Sequence, residues 1–269
     1  MTVPVAKFFE TLKTIAPLEL AAEWDNVGLM VEGTQSNPID SILLCIDLTH
    51  AVIDEAIAQG VNAIVSYHPP IFGDIKRLTR RSPSQNLLIR LIEAKITVWS
   101  PHTALDAAEN GLGDWLLDCF GELKERSTIT SCPSAPENPA IGMGRQGRLS
   151  TPRPIEQLAD EIKSYLSLSH IRIAKAQRHK EGASIKRVAV CPGAGGTLFS
   201  SVRHVDLLLT GEMRHHDILS KVSNGTSVIL TDHTNTERGY LPVLQERLRS
   251  HLGVTVHVSN EDADPLTIF

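Results

Sequence analysis

The sequence predicts an α/β protein built as two α/β lobes, each with a largely parallel or mixed sheet flanked by helices. Two observations carry that prediction. Apolar runs of strand length alternate with stretches of helical spacing, and Gly or Pro punctuates the joins. One proline-rich stretch without periodicity interrupts the alternation near the middle of the chain.

Taken in order, Phe8, Leu12, Ile15 and Ala16 keep the spacing of one helical face. Ile42 to Ile46 reads as a buried strand, followed by a helix over Ala51 to Ala58 that Gly60 stops. Val61 to Val65 is the next strand, Asn86 to Glu93 a helix, Ile96 to Trp99 extended, and Trp115 to Phe120 helical up to Gly121. Between Glu125 and Ala140, Pro133, Pro136 and Pro139 sit among Ser and Thr. Residues 126–140 therefore read as a surface linker between an N-terminal lobe, 1–125, and a C-terminal lobe, 141–269. In the second lobe Ile155, Leu158, Ala159, Ile162 and Leu166 form one helical stripe. Strands are expected over Ile171–Ile173, Val188–Val190, Val205–Leu209 and Val228–Leu230, then a helix from Pro242 to Leu252 and a last strand from Val254 to Val258.

The chain has 269 residues, 42% hydrophobic and 21% charged, which excludes disorder and a coiled coil. A formal net charge of −5 gives no field suited to coating nucleic acid. Apolar runs such as Ser41 to Ile46 are too short to cross a bilayer. The first residues carry no signal-peptide core, so a cytoplasmic location is expected. Cys45, Cys119, Cys132 and Cys191 form no C-x-x-C pair, so neither a zinc ribbon nor a disulfide framework is expected.

Three apolar strands end in a histidine cluster. His68 precedes Pro69-Pro70, His102 is followed by Asp106, and His233 by Glu237. The last two share the spacing His-x-x-x-acid, which puts imidazole and carboxylate on one face if the turn is helical. Ligands bind at the carboxyl ends of strands in open α/β sheets. Imidazole and carboxylate without thiolate suit a divalent ion such as Zn, Fe, Mn or Ni. Each spacing alone recurs by chance; three at equivalent strand ends favour a metal site over the alternative of scattered structural histidines.

Other motifs have blander readings. His215-His216-Asp217 starts a helix, on which adjacent side chains point about 100° apart and share one ion poorly. Cys191-Pro-Gly-Ala-Gly-Gly-Thr197 lacks the third glycine of a dinucleotide fingerprint and the lysine of a phosphate loop, so it reads as a close-packing turn. Lys76, Arg77, Arg80 and Arg81 read as a solvated loop, with capture of a substrate phosphate as the sharper alternative. Asp25 and Asn26, in a loop, read as turn formers.

Five segments together carry a specific resemblance: Glu23-Trp-Asp-Asn-Val-Gly-Leu29, Tyr67-His-Pro-Pro-Ile-Phe72, Pro101-His-Thr-Ala-Leu-Asp106, Thr210-Gly-Glu-Met-Arg-His-His-Asp217 and His233-Thr-Asn-Thr-Glu-Arg-Gly239. In this order they resemble the NIF-three-like family of dinuclear-metal-centre proteins, homologues of GTP cyclohydrolase type 2, in its short form without an inserted domain. The resemblance implies that His68 and Asp106 hold one metal, that His233 holds a second and that Glu237 bridges both. The C-terminal lobe thus supplies the second half of the site. His102 is implied as a ligand or as a group orienting one, and Trp24-Asp-Asn26 as lining the cavity. Tyr67 stands where the bacterial form has a histidine, and phenol is a poorer ligand than imidazole. The expectation is one or two divalent ions per subunit, one site firm and one weak. A ring-shaped homo-oligomer, commonly a hexamer, is implied as well.

The function expected is metal-dependent hydrolysis of GTP, another nucleotide or a phosphorylated substrate, with Glu237 or His102 moving the proton. The alternative is a metal carrier or regulatory scaffold without turnover.

Overall fold

The computed structural model describes residues 1–33 and 38–268. Its strands, in chain order, are β1 (Gly28–Val31), β2 (Ser41–Cys45), β3 (Ala63–Ser66), β4 (Thr97–Ser100), β5 (Leu123–Ser131), β6 (Gly142–Arg153), β7 (Arg172–Ala174), β8 (Ile185–Ala194), β9 (Leu207–Glu212), β10 (Ser227–Leu230) and β11 (Thr255–Val258). They form two sheets, with orders β1-β4-β3-β2-β11 and β5-β6-β8-β9-β10-β7.

The chain divides into two compact units, Met1–Leu105 with Tyr240–Phe269, and Asp106–Gly239. The boundaries therefore differ from those expected at 1–125 and 141–269. Residues 126–140 are not a linker in this structure, because β5 runs through Ser131 and pairs antiparallel with β6, from Leu123 against Leu149 to Ser131 against Gly142. Prolines 133, 136 and 139 fall in the connection between these two strands, where a missing N–H costs no ladder bond.

In the first unit β11, β2, β3 and β4 are parallel and β1 closes one edge antiparallel. All four residues of β3 and of β4 are buried, as in a parallel sheet covered on both faces. Leu43, Cys45, Ile64 and Val98 pack with Val52, Ile53, Leu88 and Leu91 of the helices His50–Ala58 and Pro83–Glu93. The Thr49 hydroxyl caps the first of these helices by accepting from Val52 N, and Gly60, at φ 66°, turns the chain after it.

In the second unit β8, β9 and β10 are parallel, while β6, β5 and β7 are antiparallel additions. The stripe expected on helix Ile155–Leu166 is the buried one, and it packs on Val188, Leu207, Leu209 and Ile229. In both units the parallel strands end in the histidine-bearing turns. No helix among the described residues is long and apolar enough to cross a membrane.

Candidate metal centre

In the first unit the ladder between β2 and β3 continues one step past each strand, with Tyr67 N donating to Cys45 O and His68 N to Ile46 O. Ser100 Oγ, buried at the end of β4, donates to the carbonyls of Ser66 and Tyr67 and holds that strand end in place. His68 Nδ1 lies 2.8 Å from Asp47 Oδ1, a carboxylate at the end of β2. His102 Nδ1 lies 2.7 Å from Asp25 Oδ1, and Thr103 donates to the other oxygen of Asp25 through its backbone and its hydroxyl. Burial would raise the Asp25 carboxyl, but the bonds from His102 and Thr103 outweigh it and hold the group below its ordinary value. The His68 and His102 rings stand edge to face with centroids 5.3 Å apart, and Tyr67 is buried 5.4 Å from His102.

In the second unit His233 Nε2 lies 3.5 Å from Glu237 Oε1, and His233 Nδ1 lies 3.2 Å from Glu212 Oε1 at the end of β9. A single 3₁₀ turn, Thr234–Thr236, brings the first pair together. Glu237 is 1% exposed. The turn after β8 packs directly beneath: Gly193 N donates to Thr236 Oγ1, and a Cβ on Gly193 would stand 2.8 Å from both Glu237 Oε1 and His233 Nε2. The Cys191-to-Thr197 stretch is thus a close-packing turn, as expected. Asp106 is buried near the end of helix His102–Ala107. Burial pushes the Cys191 thiol well up, and the charges of Asp106 and Glu237 push it further.

His102 has φ 28° and Asp232, just before His233, has φ 67°, two of the seven non-glycine residues with positive φ among those described.

The electrostatics fit a cation. With Nδ1 donating to a carboxylate, each of the three imidazoles presents Nε2 as its lone-pair side. For His233 that lone pair faces Glu237 Oε1 at 3.5 Å. His233 and Glu237 are a His/Glu pair whose all-nitrogen-and-oxygen chemistry suits a divalent transition ion.

A model of the family described as Duf34/NIF3 (NGG1p interacting factor 3) matches residues 3–265. The chain belongs to this family. It is 37% identical to the NIF3 homologue of Schizosaccharomyces pombe over 274 residues, covering 97% of each chain. It is 31% identical to mouse NIF3-like protein 1 over 342 residues, covering 96% of this chain and 91% of that protein. Among solved structures, reduced HcgD from Methanocaldococcus jannaschii superposes with a TM-score of 0.82 at 25% identity, covering 97% of this chain and 99% of that one. A Bacillus cereus protein related to NIF3, at 19% identity, shares the fold with a TM-score of 0.84 over 98% of each chain.

Within this NIF3-family chain several residues of the site escape sequence reasoning. Asp47, Glu212 and Asp25 stand behind the three histidines. Arg145, 2% exposed, donates to Asp114 and to the carbonyls of Ala107 and Ala108, fixing the backbone that follows Asp106. Only the position of Asp47 and Glu212 at strand ends could have signalled them. Of the cations at 76–81, Arg80 pairs with Glu93 and Arg81 is exposed. His215 and His216 begin the helix His215–Ser223.

Proposed function

We propose that this protein is a metal-dependent hydrolase whose one or two divalent ions (Zn, Fe, Mn or Ni) are held by His68 and Asp106 together with His233 and Glu237. The observation that carries the reading is the carboxylate behind each imidazole, Asp47 on His68 and Glu212 on His233, which is how metal-ligating histidines are held in the right tautomer. His68, Asp106, His233 and Glu237 offer only imidazoles and carboxylates, the donor types that hold catalytic ions with an open position. An ion bound there supplies Lewis-acid chemistry, polarising an oxygen of the substrate and lowering the pKa of water toward neutrality.

The remaining steps belong to side chains. Glu237, shielded from solvent, takes a proton at a carboxylate oxygen. His102, oriented by Asp25 through Nδ1, passes a proton on at Nε2. Tyr67 offers its phenol beside His68. The substrate in this reading is a nucleotide or another phosphorylated compound, and the subunits form a homo-oligomer of six.

Metal analysis of the purified protein and of the His68→Ala, His233→Ala and Asp106→Ala variants tests the binding half: each variant is expected to lose bound metal. Turnover of a nucleotide panel with added Mn, Zn or Fe tests the catalytic half. Glu237→Gln is expected to lower turnover by roughly two orders of magnitude or more, the scale of a lost proton-transfer group. Full metal occupancy without turnover of any member of the panel would replace the hydrolase with a metal carrier.

A further inference from the structure

Trp24 and Phe72 are 64% and 60% exposed, the most exposed aromatic rings among the described residues. They do not stand apart. Their centroids are 6.0 Å from each other, and His102 meets both edge to face, at 6.0 Å and 6.4 Å. The loops that carry them are braced. Asp25, next to Trp24, is pinned by His102 and Thr103, and Asn26 Nδ2 donates to Ile71 O, next to Phe72, at 2.6 Å. Two apolar rings are therefore held in water, in a fixed arrangement, beside the imidazole of His102.

The size of the pair argues for what covers it. Large aromatic side chains bury about 150–250 Å² each, so the pair falls well below the roughly 800 Å² per partner of a stable protein interface. A small flat molecule matches that area. Faces of Trp and Phe stack on π-systems, and His102, with Nδ1 engaged by Asp25, turns Nε2 toward a polar ring edge.

We propose that Trp24 and Phe72, their planes 51° apart, form an aromatic corner that stacks a planar heteroaromatic ring on one face and meets it edgewise with the other ring, its polar edge toward His102. As an assignment of substrate class the proposal rests on the hydrolytic metal-centre reading; as a binding site it does not.

Titration of the full-length, metal-loaded protein with adenine and quinoline, followed by tryptophan fluorescence, tests it. Trp99 is buried and Trp115 partly buried, so Trp24 dominates the quenchable emission. Both planar probes are expected to quench saturably, and cyclohexanol, close in size but not planar, is not. Phe72→Leu is expected to weaken binding about tenfold, the scale of a lost aromatic stack, and Phe72→Tyr to restore it. Calorimetry on Trp24→Leu is expected to show the same loss.

Absence of saturable quenching by either planar probe overturns the proposal, as does unchanged affinity in Phe72→Leu. Self-association that Phe72→Leu abolishes overturns it too, because a second copy then covers the corner. Metal content of the same samples separates the two readings. Metal held without ring binding sinks the aromatic corner alone; ring binding with wild-type metal content in His233→Ala sinks the metal centre alone.

Discussion

A carboxylate sits behind each of the three histidines, and the imidazole depends on it for tautomer and aim. Asp47→Asn and Glu212→Gln are expected to weaken metal binding roughly 10–100-fold by titration calorimetry, the usual cost of losing such a partner. The unfolding midpoint of the metal-free protein is expected to stay nearly unchanged, because both carboxylates remain substantially exposed. Gly193→Ala is a harsher change. Its φ of 58° disfavours any Cβ by about 1–2 kcal/mol, and that atom would press on Glu237 and His233. Metal analysis of the variant is expected to show loss of the ion. His68, His102, Asp106, His233 and Glu237 could be singled out in the sequence because they follow apolar strands, and the family resemblance, not spacing, implied their roles. The pairing of Asp25, Asp47 and Glu212 with these histidines was not legible, because a single acid has no spacing and its histidine is chosen by tertiary contact.

Among the elements, the short helix Gln177–Lys180 carries a histidine that titrates against the fold. His179 is 3% exposed, with Nδ1 2.7 Å from the hydroxyl of Ser227 at the start of β10. That hydroxyl also accepts from Ala176 N, so its proton goes to the imidazole. Burial lowers the His179 pKa, and the nearby Arg178 charge lowers it further. A lowered value means the folded state favours the neutral ring. Its contribution is complete above the ordinary value of 6.5 and is lost as pH falls from there through the folded value. Denaturant titrations between pH 7 and 5 are expected to show falling stability, with a shallower fall in His179→Gln.

The elements read correctly from sequence are the buried parallel strands, whose continuous apolar runs come from being covered on both faces. Those missed are β1, β5 and β6. β1 is a four-residue edge strand whose register shifts between Leu29 and Val31. β5 has no buried residue, so alternation never appears in Leu-Lys-Glu-Arg-Ser-Thr-Ile-Thr-Ser. β6 carries three glycines and Arg145 where a periodic pattern would need apolar side chains.

At the scale of the whole molecule, the first unit is sewn from both ends of the chain. β11 pairs with β2 from Thr255 against Ser41 to Val258 against Leu44. Asp262 accepts from Ile46 N at 2.7 Å and from Asp47 N at 3.3 Å, beside the carboxylate that aims His68. Removal of residues 240–269 is expected to expose the β2 edge and open residues 1–105 to protease, read as early cleavage in that segment by limited digestion. No periodicity could have revealed this closure, because pairing between segments so distant in sequence leaves no local trace. Metal that binds only the folded protein is expected to raise the melting temperature with its concentration, and chelation to reverse the shift.

The same interleaving sets an order of assembly on the ribosome. Asp106–Gly239 can finish its sheet before Thr255–Val258 is made, whereas β2 pairs early with β3 but lacks its β11 neighbour until then. Until then one edge of β2 stays unpaired, and chaperone occupancy on stalled chains should fall once the codons of β11 have been read.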